Sequence, residues 1–323
     1  MVTMKPKELE KIVSYIRDER KRQGISQVEL AEGMGAHTIN EKTYARIERG
    51  ERELTIGEAS RLLEKLGLSL AEVVNEMDQE IRVRFDNHIE EIMALIATGD
   101  YLAVKGQYDA LLKKTYYNKE TQRYKQPLML IKGILMDKVQ KNQYQALEII
   151  LEAIQLSKPL MIKGKKKVFD IEQMKQSRFN LVEYGLMYNS ARLYAAQGKR
   201  EKAIEINYAI LETLEKRTIE REIKRRIFPA VSFILSNVLL EEKMFREVLE
   251  IVTKGIEYCQ QEKMTKFVGE MYCNKGEALY ELGKILEGRE SFGTSVEYFE
   301  LNGEKEKTKI VKAYALNHFG IRL

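Results

Sequence analysis

Tryptophan is absent from this chain of 323 residues, and cysteine, histidine and proline are scarce, at 2, 3 and 4 residues. Cys259 and Cys273 have no metal-ligand spacing, so we expect buried, reduced thiols. His37, His88 and His318 are scattered, with no pair at ligand distance, and no metal site is expected. No apolar run is long enough to cross a bilayer, and the opening MVTMKPKELEK has no apolar signal core. The expectation is a cytoplasmic protein with no membrane partner. A Gly-rich phosphate loop, a nucleophile elbow and a His/carboxylate cluster are all missing. The carboxylates sit among lysines at helical spacing, as on exposed helix faces. We therefore expect no catalytic residue, no cofactor and no enzymatic activity. The net charge of +5 permits nucleic-acid binding without arguing for it.

What is present starts at Ser26. Ser26-Gln27-Val28-Glu29 has the spacing of a capping box, in which the serine oxygen accepts from Glu29 N–H and the glutamate reaches back. Val28, Leu30, Ala31 and Met34 give a short helix an apolar side, and Gly33 and Gly35 weaken its end. A second helix carries Tyr44 and Ile47 inward and stops at Gly50. Its outer side holds Asn40, Glu41, Lys42 and Arg46. Two short helices joined in this way suit a helix-turn-helix whose second member enters the DNA major groove. Acidic and basic residues nearly balance over residues 1–70, so any DNA footprint has to come from local placement: Lys21, Arg22, Lys42, Arg46, Arg49 and Arg52.

SQxELAxxxG followed by a short helix ending in IERG resembles the DNA-binding domain of the Cro/phage-repressor type, over about Leu9 to Val74. The resemblance implies a phosphate contact for Gln27 and base-edge reading by Glu41, Lys42 and Arg46. It also implies a structural ion pair between Arg20 and Glu48. The connection after Gly35 is longer than usual, so either Asn40 or Thr38, with Glu41 as box partner, caps the recognition helix. Around this motif, a first helix spans roughly Pro6 to Gln23 with Leu9, Ile12, Val13 and Ile16 as its inward stripe. Two further boxes, Thr55-Ile56-Gly57-Glu58 and Ser69-Leu70-Ala71-Glu72, open two more helices.

From about Arg82 onward the chain is a run of amphipathic helices. Tyr101, Tyr144, Arg200, Phe245 and Ile285 each follow a turn and open an apolar-periodic helix, and each such helix is preceded by another. Unequal helical hairpins in series mean a solenoid, and Tyr188 to Leu211 and Gly269 to Ser295 resemble tetratricopeptide repeats. Pro127 and Pro229 fall where first helices of repeats begin, or else Pro229 kinks a longer helix from Arg221 to Glu241. Ser157 to Lys175, with the run Lys163-Gly164-Lys165-Lys166-Lys167, reads as a solvated basic loop. Glu304 to Leu323 reads as a capping helix. The predicted fold is all-α: a five-helix helix-turn-helix domain (1–75), a helical linker (76–84) without linker-like composition, and a right-handed α-solenoid (85–323). The solenoid has about five tetratricopeptide-like hairpins and the C-terminal cap.

First helices line the concave side of such a stack, where ligands bind. In tetratricopeptide register, Asn189 and Asn274 occupy equivalent positions, and Lys132, Tyr188, Arg192 and Asn237 occupy other groove-facing ones. Amide side chains offer both a donor and an acceptor to an extended peptide backbone. The competing expectation is that each asparagine caps or bridges neighbouring helices.

Taken together, these parts resemble the RRNPP family of peptide-sensing transcription regulators of Gram-positive bacteria, in its PlcR-like branch. The resemblance implies a homodimer that binds a double-stranded operator, takes a short linear signalling peptide in its repeats, and alters operator binding in response. The rivals are a phage-type repressor whose repeats only dimerise, and a phosphorelay-directed interaction protein or phosphatase.

Overall fold

Most helix starts written in the sequence are helix starts in the computed structural model, which describes residues 6–31, 39–164, 168–216 and 219–323. Gly33, Met34, Gly35, His37, Thr38, Lys165, Lys166 and Lys167 lie outside the described residues. The chain divides into two units, Met1–Glu91 and Ile92–Leu323.

In the first unit, α1 (Pro6–Arg22), α2 (Gln27–Ala31), α3 (Glu41–Glu48) and α4 (Ile56–Lys65) precede α5 (Leu70–Thr98), which runs on past the end of the unit. The expected stripe of α1 is inward: Ile12 and Ile16 are buried, and Leu9 and Val13 pack against the same core. That core also takes Leu30, Ile39, Tyr44, Ile47, Leu62, Leu63 and Val73. Val28, expected on the apolar side of α2, is instead exposed.

All three capping boxes form. Ser26 Oγ accepts from Glu29 N–H at 3.1 Å while the Glu29 carboxylate takes Ser26 N–H at 2.7 Å. The Thr55/Glu58 and Ser69/Glu72 boxes repeat the pattern. Each such cap contributes about 1 kcal/mol. The ends are closed by left-handed residues, Gly24, Gly50 and Gly67, a conformation that suits glycine because it has no Cβ. The short α2 is held at its C-terminal end from outside, by Lys65 Nζ on the Leu30 carbonyl at 3.0 Å.

The second unit contains α6 (Tyr101–Lys113), α7 (Gln122–Lys138), α8 (Gln143–Ser157), a short ladder of β1 (Ile162–Lys163) and β2 (Val168–Phe169), and α9 (Ile171–Gln176). The pairs α10 (Leu181–Ala196) and α11 (Arg200–Lys216), α12 (Arg221–Glu241) and α13 (Phe245–Gln261), and α14 (Val268–Glu281) and α15 (Ile285–Leu301) follow. Then α16 (Lys305–Phe319) closes the series. Each first helix packs on its own second helix, and α10, α12 and α14 also pack on the second helix before them. The first helices α7, α10, α12 and α14 also pack directly on one another in series. That places them on the inner side of a stacked array. Gly276 and Gly288 let α14 and α15 approach closely: a Cβ on Gly276 would lie 2.9 Å from the Phe292 ring.

Two expectations need correction. Ser157 to Lys175 is no simple solvated loop. Ile162 pairs with Phe169 and Lys163 with Val168 in an antiparallel ladder, and Met161, Ile162, Phe169 and Met174 are buried. In the sequence the lysine run stands between two short apolar pairs, Met161-Ile162 and Val168-Phe169, which form the ladder and its buried flank. Pro127 does not start a helix either, whereas for Pro229 the alternative holds: one longer helix, Arg221–Glu241, contains it. Pro127 and Pro229 are buried inside α7 and α12. Before Pro229, Arg221 and Arg225 both reach the Glu262 carboxylate, at 2.9 and 3.2 Å, which tethers the polar turns that precede it. Both cysteines are free thiols; Cys259 is buried and Cys273 half-buried. No helix among the described residues is long and apolar enough to cross a membrane.

Candidate functional site

The second helix of the motif starts with Asn40. Its backbone is extended, and its side chain accepts from Thr43 N–H at 2.9 Å, so Asn40 is the N-cap and Glu41 the first helical residue. That assignment sets which side chains share a face. Tyr44 and Ile47 are buried; Glu41, Lys42, Arg46 and Arg49 are exposed. Lys42, Arg46 and Arg49 recur at helical spacing along the outer side of α3. Arg49 donates to Glu51 at 2.7 Å and Arg46 lies 3.7 Å from the same carboxylate. Both guanidiniums are thus held side by side by one exposed anion, the arrangement a phosphate would meet.

The base of α3 is anchored by charge. Arg20 Nε and Nη2 donate to the two Glu48 oxygens at 3.0 and 3.3 Å, and Arg20 Nη1 reaches the Ile25 carbonyl at 2.8 Å. Glu48 is well covered, and burial alone pushes its carboxyl up. The neighbouring Tyr44 hydroxyl, Arg20 and Gln27 outweigh that and hold it below the usual carboxylate range. Gln27, expected at a phosphate, is half-buried at the first position of α2 and donates its side-chain N–H to Glu48 at 2.5 Å.

In the second unit the sequence-selected groove residues all lie on inner helices, but most of the amides have intramolecular partners. Asn189 is buried and donates to the Gly185 carbonyl of its own helix at 2.9 Å. Asn274 is buried and bridges two helices, donating to Ser236 Oγ at 2.8 Å and to Asn237 Oδ1 at 2.7 Å. Bridging of neighbouring helices, part of the competing expectation, is what the Asn274 Nδ2 does; Asn189 turns its Nδ2 onto its own helix and neither caps nor bridges. Asn237 is half-buried, and Lys132 is exposed on α7. Arg192 donates to Asp137 at 2.9 Å, and Asp137 is only 5% exposed, so the arginine neutralises a buried carboxylate. Tyr188, one turn away, has its phenol pushed up by burial against the pull of Asn189 and Arg192.

Sequence reasoning missed Asp137, Ser236 and Glu277. Asp137 and Ser236 become visible only as cross-helix partners of Arg192 and Asn274. Glu277 stands as far before the left-handed residue that ends its helix as Arg192 and Asn237 stand before theirs, a spacing that the sequence could have given.

Residues 16–73 match the helix-turn-helix family. The chain resembles PlcR of Bacillus thuringiensis in its apo form, with a TM-score of 0.65 at 18% identity over 94% of this chain and 98% of that one. It has the PlcR fold.

The structure of PlcR in complex with the peptide PapR7 and DNA gives a TM-score of 0.59 at 18% identity, over 94% of this chain and 99% of that one. ComR from Streptococcus vestibularis in complex with its signaling peptide XIP gives 0.52 at 16% identity, over 95% and 98%. No curated protein matches the chain in sequence. The likeness to PlcR and ComR extends over both units, and it is one of fold.

Proposed function

We propose that this chain is a cytoplasmic, homodimeric DNA-binding transcription regulator whose repeats bind a short linear signalling peptide and thereby alter operator binding. The observation that carries the reading is the pairing of a capped, outward-facing α3 bearing Lys42, Arg46 and Arg49 with the repeat fold of PlcR, a protein crystallised with both peptide and DNA. Arg46 reads base edges, and Gln27 and Arg49 position the helix on phosphate. Lys132, Tyr188, Asn189, Arg192, Asn237 and Asn274 form or shape the peptide groove. Domain limits of 1–75, 76–84 and 85–323 go with the same reading, and no catalysis is assigned to it.

A gel-shift titration against the DNA upstream of the protein's own gene, with and without short peptides from culture supernatant, tests it. The expected result is a specific shift whose midpoint moves with peptide. A specific shift that no peptide moves supports a phage-type repressor instead. The absence of any shift, combined with binding to a response-regulator protein, supports the phosphorelay reading.

A further inference from the structure

Each inner helix from α10 to α14 ends at a left-handed residue: Gly198, Lys243 and Gly283. Six positions before each of these stand Arg192, Asn237 and Glu277, all half-buried. Since α10, α12 and α14 pack on one another in that order, these three side chains form a row that runs from a cation, through an amide, to an anion.

The two ends differ in their surroundings as well as in their own charge. Arg192 and Lys138 share the buried Asp137 carboxylate, at 2.9 and 3.3 Å, which leaves one positive charge unmatched, and Lys132 is exposed on α7 beside them in the series. At the opposite end Glu277 accepts from the Tyr314 hydroxyl at 2.8 Å. The other charged or titratable groups acting on it include Glu281, on the next turn, the Cys273 thiol, on the turn before, and His318, which stacks on Tyr314 at 4.3 Å between ring centres. Burial raises the Glu277 carboxyl above its ordinary range. A half-buried carboxylate whose nearest charged partner on its own helix is another glutamate suits a cationic guest.

We propose that the groove takes a free-ended peptide in one direction, its C-terminal carboxylate at Arg192 and a positive charge at its amino-terminal end at Glu277. This rests on the peptide-binding reading above and adds direction, end chemistry and length to it. Helices packed about 10 Å apart put the two ends of the row about 20 Å from each other. An extended chain rising about 3.3 Å per residue spans that in about six residues. Asn237, midway, meets the peptide backbone with its side-chain N–H.

The test uses a randomised heptapeptide mixture in four forms: free-ended, N-acetylated, C-amidated and blocked at both ends. Peptides retained by the full-length protein are identified by mass spectrometry, and the best free-ended one is titrated by calorimetry. C-amidation should weaken it about ten-fold or more against the wild type. It should make no difference against the Asp137→Asn, Arg192→Gln double variant, which removes the arginine without stranding the buried aspartate. Arg192→Lys should keep part of the preference. N-acetylation should weaken binding to the wild type but not to Glu277→Gln. If acetylated peptides are still retained and carry Lys or Arg near their first residue, the guest at Glu277 is a basic side chain, which also upholds the proposal. Doubly blocked peptides without basic residues that bind as tightly as free ones overturn the proposal and leave the peptide reading standing. So does sensitivity to amidation that vanishes in Glu277→Gln rather than in the arginine variant. Retention of no peptide in any form, with circular dichroism showing intact helices, overturns the peptide reading itself and the proposal with it.

Discussion

Arg20 grips Glu48 through both carboxylate oxygens, at 3.0 and 3.3 Å, and so joins the last turn of α1 to the last turn of α3. Glu48→Ala leaves that guanidinium buried without its anion and should destabilise the first unit by about 3 kcal/mol, measured by urea denaturation. The pH dependence has a definite sign. Because the folded carboxyl sits below its ordinary range, the pair's contribution is fully present above the unfolded carboxyl value. It is lost as pH falls through the lowered folded value. Wild type and variant should therefore converge in strong acid; a gap that persists there would assign the loss to packing instead.

Arg46 and Gln27 should separate in a binding assay. Arg46→Ala should weaken operator binding by roughly 1–3 kcal/mol, with a smaller loss on random DNA, if its contact is bidentate to guanine. Gln27→Ala should weaken both DNAs alike, since phosphate contacts carry no base information. Fluorescence anisotropy at fixed salt, on operator and scrambled duplexes, distinguishes the two. Equal losses for Arg46→Ala remove it from base reading.

α5 is unbroken from Leu70 to Thr98. Its exposed face is tied by Arg82 to Asp78 and Arg84 to Glu80, and Tyr15 of α1 donates to Glu76 at 2.8 Å. A flexible Gly-Ser insertion between Met77 and Asp78 should leave DNA binding and peptide binding each measurable while abolishing the effect of one on the other. Operator titrations with and without peptide read the result. Peptide sensitivity equal to the wild type's means that coupling takes another route.

Lys243 occupies a position that Gly198 and Gly283 occupy in other repeats, at φ 58°. A side chain in the left-handed region costs about 1–2 kcal/mol. Glycine returns about 0.5–1 kcal/mol of that as lost chain entropy. Lys243→Gly should thus stabilise the second unit by about 0.5–1 kcal/mol, seen as a higher thermal midpoint. An unchanged or lower midpoint would show that the lysine makes a compensating contact.

Glu277→Gln should stabilise the peptide-free protein at neutral pH. A folded carboxyl raised by burial favours the protonated form, so the wild type loses stability as pH rises from the unfolded value through the raised folded one. The variant has nothing to titrate there. Its advantage should grow with pH up to neutrality and disappear in acid, followed by thermal melts across that range. An advantage that does not vary with pH would mean that packing, not charge, is at work.

Much of this architecture was legible because local chemistry and tertiary position agree. Tyr101, Arg200, Phe245 and Ile285, taken from the sequence as second-helix starts, are the first residues of α6, α11, α13 and α15, and Tyr144 lies one residue inside α8. Each follows a turn closed by a left-handed residue, and the next apolar period starts at once. The Ser26, Thr55 and Ser69 boxes were legible for the same reason. What was hidden needed partners far along the chain. The β1–β2 ladder is written on either side of a lysine run that reads as solvated. Pro127 is carried inside α7, which starts at Gln122, rather than at a helix start. The groove suffered most: register put Asn189 and Asn274 on the inner helices, but nothing local to Asn274 reveals Ser236 and Asn237 as its partners.

That last bond has a mechanical consequence. Asn274 ties α14 to α12 with two short hydrogen bonds on the inner side of the array. A ligand that claims the Asn274 amide has to unfasten it from Ser236 and Asn237. Such a ligand would loosen α14 from α12 in the act of binding, as when a wedge replaces a rivet between two leaves of a spring.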